Sequence, residues 1–164
     1  MARCLIIGCG CRGQMLARAL VDRGHAVRAT SCDPRRRAEI EAAGAEAVVA
    51  DPDRVATLVG ALEHVTVVCI LLGSASGSAD QLDALHGARL EMLLTKLVDT
   101  TVHGVVYEAG GSVDRGLLRA GSERVGAFCA RSHASCAFIE ADPATRSAWL
   151  KAALDAVERV LAPR

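Results

Sequence analysis

Residues 3–13 read Arg3-Cys4-Leu5-Ile6-Ile7-Gly8-Cys9-Gly10-Cys11-Arg12-Gly13, an apolar run that ends in the pattern G-x-G-x-x-G. That pattern by itself is common, and its setting makes it informative. It follows an apolar run directly and opens a helical pattern, inside a βαβ unit of about 30 residues. Residues 11–23 (CRGQMLARALVDR) place Met15, Leu16, Ala19 and Leu20 on one face, and Gly24 supplies a stop. In such a unit Gly8 permits the tight turn, Gly10 lets the backbone approach a pyrophosphate, and Gly13 lets helix and strand pack closely. The helix start, with Cys11 and Arg12, offers N–H groups and a positive dipole end to phosphates. The competing reading is a glycine turn in a sheet that has lost its ligand.

Further along the chain, short apolar runs alternate with helical segments. The runs are residues 3–7, 26–30, 45–50, 65–72, 103–108 and 135–140. They are continuously apolar, as strands covered on both faces are. Helical patterns occupy 11–23, 34–43, 53–62, a long stretch 79–101, 114–131 and a closing segment after Asp142-Pro143. The closing segment carries Trp149, Leu150, Ala153, Leu154, Val157 and Leu161. Six strands alternating with six helices predict an α/β fold: one Rossmann-like, doubly wound parallel sheet with helices on both faces. The count uses the whole chain, so 1–164 reads as a single dinucleotide-binding domain.

Composition narrows the function classes. The 164 residues carry 19 basic and 19 acidic side chains, so no net field draws in nucleic acid or an acidic membrane surface. Aromatics are limited to Tyr107, Phe128, Phe138 and Trp149, too few for a base-stacking platform. No apolar stretch approaches the roughly 20 residues of a spanning helix. The seven cysteines are odd in number, and Cys4 and Cys69 lie in apolar runs, where free cysteine behaves as a small hydrophobe. They show no C-x-x-C spacing, so no metal site is expected. With only four apolar residues between Arg3 and Gly8, a secretory leader is not expected either, and the chain reads as reduced and cytoplasmic. The apolar surplus of the 79–101 and closing helices predicts a homodimer.

The end of the second strand separates one dinucleotide from another. An acid there would bind a ribose hydroxyl, whereas an arginine accommodates a 2′-phosphate. The chain reads Thr30-Ser31-Cys32-Asp33-Pro34-Arg35-Arg36-Arg37, with hydroxyls at the strand end. Asp33 comes late, in position to cap the next helix. Arg35 and its neighbours, with Arg12, favour a phosphate dianion and hence NADP, with NAD as the alternative. A solvated helix face is the competing reading of Arg35–Arg37. Asp51 and the loop Gly73-Ser74-Ala75-Ser76-Gly77 follow strands three and four, at the edge where open α/β sheets bind ligands. A helix cap and an ordinary turn are the alternatives for these two.

The segments CLIIGCGCRGQMLARALVDRGHAVRATSCDP, AGAEAVVADPDRVATLVGAL and HVTVVCILLGSASG resemble atypical short-chain dehydrogenase/reductases related to NAD-dependent epimerase/dehydratases. The resemblance covers roughly residues 1–110. It implies a Rossmann fold with NAD(P) on the glycine loop, and cofactor contacts at Gly8, Gly10, Gly13, Thr30, Ser31, Asp51 and Gly73. It also exposes a departure. Catalytic members use a Tyr-x-x-x-Lys pair, but here Tyr107 is followed four residues on by Gly111, and Met92 stands four before Lys96. The substitute acids at the end of the fifth strand are Tyr107, Glu108 and Ser112. Two functions stay open: an NADPH-dependent oxidoreductase with nonstandard acids and a small-molecule substrate, or a non-catalytic dinucleotide sensor.

Overall fold

The computed structural model describes residues 1–163. Its centre is a sheet of six parallel strands: β1 (Arg3–Ile7), β2 (Ala26–Ser31), β3 (Glu46–Val49), β4 (Val67–Ile70), β5 (Gly104–Glu108) and β6 (Ser135–Ile139). Their order is β3-β2-β1-β4-β5-β6, with every neighbouring pair parallel. The chain runs outward from β1 to β3 and then returns to β4 on the other side of β1. That reversal opens a crevice at the carboxyl ends of β1 and β4.

Strand alternation divides the core in two. Cys4, Ile6, Val67, Cys69, Val106 and Ile139 face α1 (Cys11–Asp22), α2 (Arg37–Ala42) and α6 (Arg146–Leu161). Leu5, Ile7, Val68, Ile70, Val105 and Tyr107 face the opposite layer. That layer comprises a 3₁₀ helix (Val55–Leu62), α3 (Ala79–His86), α4 (Ala88–Leu97) and α5 (Arg115–Ser132). With helices on both faces, the central strands β1, β4 and β5 are buried along nearly their whole length.

Two helical segments differ from the sequence pattern. In place of the α-helix expected over 53–62 there is a 3₁₀ helix at Val55–Leu62, its entry pinned by Thr57, whose Oγ1 accepts from Asp51 N at 2.8 Å and donates to Arg54 O at 2.7 Å. The predicted helix 79–101 is two helices that break at Gly87 (φ −111°, ψ −105°). A Cβ at Gly87 would stand 2.6 Å from Asp83 O, so the backbone takes this geometry because the side chain is absent. Beyond the break, Leu90, Leu93, Leu94 and Leu97 turn inward. The apolar surplus of this region and of α6 is therefore largely absorbed within the chain. Among the described residues, the large apolar side chains left exposed are Met1, Val49, Val59, Met92 and Val98.

Candidate functional site

The three motif glycines adopt three geometries. Gly8 has φ +84°, and a Cβ there would lie 2.6 Å from Leu71 O, so this turn is closed to other residues. Gly10 faces open space, with nothing within 4 Å of its Cβ position. At Gly13 a Cβ would meet Cys9 Sγ at 3.1 Å and Ile6 Cγ2 at 3.4 Å, which records how closely α1 lies on β1. Cys9 N donates to Thr30 O at 2.9 Å, tying the loop to the end of β2. Gln14 N donates to Gly10 O at 3.0 Å. The N–H groups of the three residues before Gln14, in the first turn of α1, have no helical carbonyl to bond.

The loop forms one wall of a cleft of about 590 Å³ at the carboxyl ends of β1, β2 and β4. The cleft brings together Gly8, Gly10, Cys11, Arg12, Gly13, Thr30, Ser31, Asp51 and Ser74 from the sequence-derived set. It adds Cys32, Arg36, Pro52, Asp53, Leu71, Leu72, Ala75, Ser76 and Leu85. Thr30 is buried, and its Oγ1 has no hydrogen-bond partner among the described residues. A buried hydroxyl is rarely left unsatisfied, so this orphan at the cleft wall fits a polar ligand such as a ribose. The lining fits a dinucleotide on the same grounds: free helix-end amides, an open Gly10 and hydroxyls at the end of β2.

Electrostatics at the end of β2 separate two adjacent arginines. Arg35 is exposed and turned away, its Nε donating to Asp33 Oδ1 at 3.0 Å. Asp33 also accepts from Arg35 N at 3.0 Å, the expected capping bond. Those bonds hold the Asp33 carboxyl below its ordinary value and raise Arg35 above its own. Arg35 is thus absent from the cleft, and Arg36 lines it instead, paired only loosely with Glu39 at 3.8 Å. Asp51 reaches the cleft, but its Oδ1 also accepts from Asp53 N at 2.9 Å, so a local turn shapes it.

Arg12 also departs from the expected role. It lines the cleft, yet its NH2 donates to both carboxylate oxygens of Glu108 at 3.3 Å, and its guanidinium lies 5.4 Å from the Trp149 ring centroid. Glu108 is fully buried and does not line the cleft. Tyr107 points to the opposite face, where its hydroxyl meets His86 Nδ1 at 2.5 Å, while His86 Nε2 donates to Leu72 O at 3.0 Å. Burial pushes the Tyr107 phenol up and His86 down from their ordinary values. Ser112 is exposed, its N–H donating to Ser74 Oγ at 3.3 Å. None of the three candidate acids lines the cleft. Strand alternation explains the first two: consecutive residues of β5 enter opposite core layers. Gly73 likewise lies behind the lining, so close to the segment after β5 that a Cβ would stand 2.2 Å from Gly110 O.

Three cysteines reach this region. Cys9 is buried, which pushes its thiol up to about 12, whereas Cys11 and Cys32 are exposed in the cleft wall. Among the described residues, no group of three His, Cys, Asp or Glu side chains is placed to hold a metal. No helix among them is long and apolar enough to cross a membrane.

Comparison with known proteins places this geometry. Residues 8–116 match a family model described as NAD(P)H-binding. No curated protein matches the chain. Among solved structures, UDP-glucuronic acid 4-epimerase from Bacillus cereus in complex with NAD is similar at 11% identity and TM-score 0.64, over 84% of this chain and 55% of that one. Vestitone reductase from alfalfa (Medicago sativa L.) is similar at 16% identity and TM-score 0.63, over 85% and 56%. A short-chain dehydrogenase/reductase superfamily protein from Agrobacterium tumefaciens with bound NAD is similar at 21% identity and TM-score 0.63, over 84% and 48%. These identities speak to the fold, and the chain spans about half the length of the structures it matches.

Proposed function

This chain belongs to the NAD(P)H-binding family, and from that premise we propose that it binds NADPH in preference to NADH, as a short-chain-reductase-like oxidoreductase. Residues 1–164 act in this reading as one dinucleotide-binding domain. The observation that carries the preference is the composition of the cleft at the end of β2. Ser31 and Arg36 line it, while Asp33, the next acid along the chain after Ser31, is held by Arg35. A 2′-phosphate finds a cation and a hydroxyl there, and the carboxylates on the cleft lining, Asp51 and Asp53, follow β3 rather than β2. Pyrophosphate would take the first-turn amides of α1 across from Gly10, and a ribose hydroxyl would satisfy Thr30 Oγ1. Bound NADPH would supply hydride, and the chain's own residues would bind and orient it.

Of the three candidate acids, Tyr107 and Glu108 are sealed in the core and Ser112 is exposed beyond the cleft lining. That sealing also supports a second reading, a dinucleotide sensor without turnover. The proposed setting is cytoplasmic, and a homodimer is proposed through the 79–101 region, where Met92 and Val98 are exposed, which sedimentation checks by its mass. One experiment separates the two functions: calorimetric titration with NADPH and NADH, followed by NADPH consumption against a panel of small carbonyl compounds. Tighter NADPH binding with turnover supports the reductase. Tight binding with every carbonyl inert moves the assignment to the sensor, and equal or tighter NADH binding removes the NADPH preference.

A further inference from the structure

Glu108 collects donors from three separate elements. Its Oε1 accepts from Gly73 N at 2.8 Å, its Oε2 accepts from Trp149 Nε1 at 2.8 Å, and Arg12 NH2 reaches both oxygens at 3.3 Å. Arg12 stands in the first turn of α1 and lines the cleft, while Gly73 immediately precedes the lining residues Ser74, Ala75 and Ser76. One buried carboxylate therefore ties the glycine-loop wall to the β4–α3 wall, with α6 behind both. The β4–α3 loop is held from below as well: Val113 N donates to Gly73 O at 3.0 Å, and a Cβ on Gly73 would stand 2.9 Å from Glu108 Oε1. A carboxylate fully out of water is tolerated only with its charge paired and its lone pairs filled. Here both conditions are met by groups that belong to the cleft walls.

We propose that Glu108 is a positioning residue for the dinucleotide site, setting the spacing between the glycine loop and the β4–α3 loop through Arg12 and Gly73. This rests on the dinucleotide reading of the cleft. Arg12 is on this account the counter-ion of Glu108 rather than a cofactor phosphate ligand. Trp149, the single tryptophan, is wired to the same carboxylate and senses its state. A ligand that spans both walls depends on their spacing. A fragment that reaches only the end of β2 does not.

The test compares NADPH with adenosine 2′-monophosphate, each titrated calorimetrically into wild type and Glu108→Gln. Losing a buried charge-assisted network is expected to weaken NADPH about tenfold or more, with the monophosphate affinity unchanged. A folded Glu108→Gln protein that binds NADPH as wild type does, or that loses both ligands equally, overturns the proposal. Should that variant fail to fold, Trp149→Phe removes one donor and keeps the ion pair. It is expected to give the same selective loss in smaller size, and unchanged NADPH affinity would overturn the proposal. In wild type, NADP⁺ should shift Trp149 emission and the monophosphate should not; no shift on saturation with NADP⁺ also counts against it. Failure of wild type to bind either NADPH or NADH is a different outcome, one that removes the dinucleotide reading and the proposal together.

Discussion

Arg36 faces the cleft, while Arg35 beside it is bonded to Asp33, and the two predict different phenotypes. Hydrogen bonds to charged groups contribute about 1.5–3 kcal/mol, so Arg36→Ala should weaken NADPH roughly tenfold or more and leave NADH nearly unaffected. Arg35→Ala removes no lining cation and only frees Asp33, so it should weaken NADPH by less than Arg36→Ala does. Isothermal titration of the two variants checks this, and a larger loss in Arg35→Ala would reverse the assignment. Tyr107 makes a contrasting case. Its hydroxyl serves His86 inside the core, so Tyr107→Phe should cost stability, about 1–3 kcal/mol, by leaving a buried ring nitrogen unpaired. Any reductase rate should fall by far less than the roughly 10²–10⁴-fold that marks the loss of a general acid. Thermal melts and steady-state kinetics on the one variant separate the two effects. The side-chain directions behind these predictions were not legible in the sequence. A run of three arginines does not reveal which one Asp33 will hold, and a strand apolar on both faces does not reveal which of Tyr107 and Glu108 enters which layer.

At the scale of elements, the joint between α3 and α4 carries the most specific expectation. His86 closes α3, bonded to Tyr107 and to Leu72 O, and Arg124 NH1 reaches its carbonyl at 3.4 Å while pairing with Glu91. His86 has its ionisation depressed by burial, partly opposed by the Leu72 bond. The unfolded chain then binds a proton that the folded chain refuses, so this contribution is complete above the ordinary value of 6.5 and is lost as pH falls below it. Melting temperatures from pH 8 downward should therefore drop more steeply in wild type than in His86→Gln; parallel curves would contradict the account. Gly87→Ala should destabilise the joint, because its Cβ would stand 2.6 Å from Asp83 O. The strands and α1 were readable because continuous apolar runs and G-x-G-x-x-G are local patterns. The break at Gly87 was not, since the leucine spacing continues through it and a single glycine inside a helical pattern does not by itself mark a break. A capping box at Ser78 and Gln81 marks where α3 begins.

For the whole molecule, the sheet order and the cleft at its switch point follow from the alternation of runs, and they make one claim central: this cleft holds a dinucleotide. The most direct measurement is the melting temperature of nucleotide-free protein with and without saturating NADPH or NADH. A ligand that binds only the folded chain adds RT ln(1 + [L]/Kd), about 2.7 kcal/mol at a hundredfold excess over Kd. At roughly 2–4 °C per kcal/mol for a chain of this size, NADPH should raise the melting temperature by about 5–10 °C. NADH should raise it less. Gly10→Val, whose side chain would project into the open cleft, should fold and lose the shift. A rise with NADPH that Gly10→Val abolishes is the predicted result; no rise with either nucleotide would contradict the account.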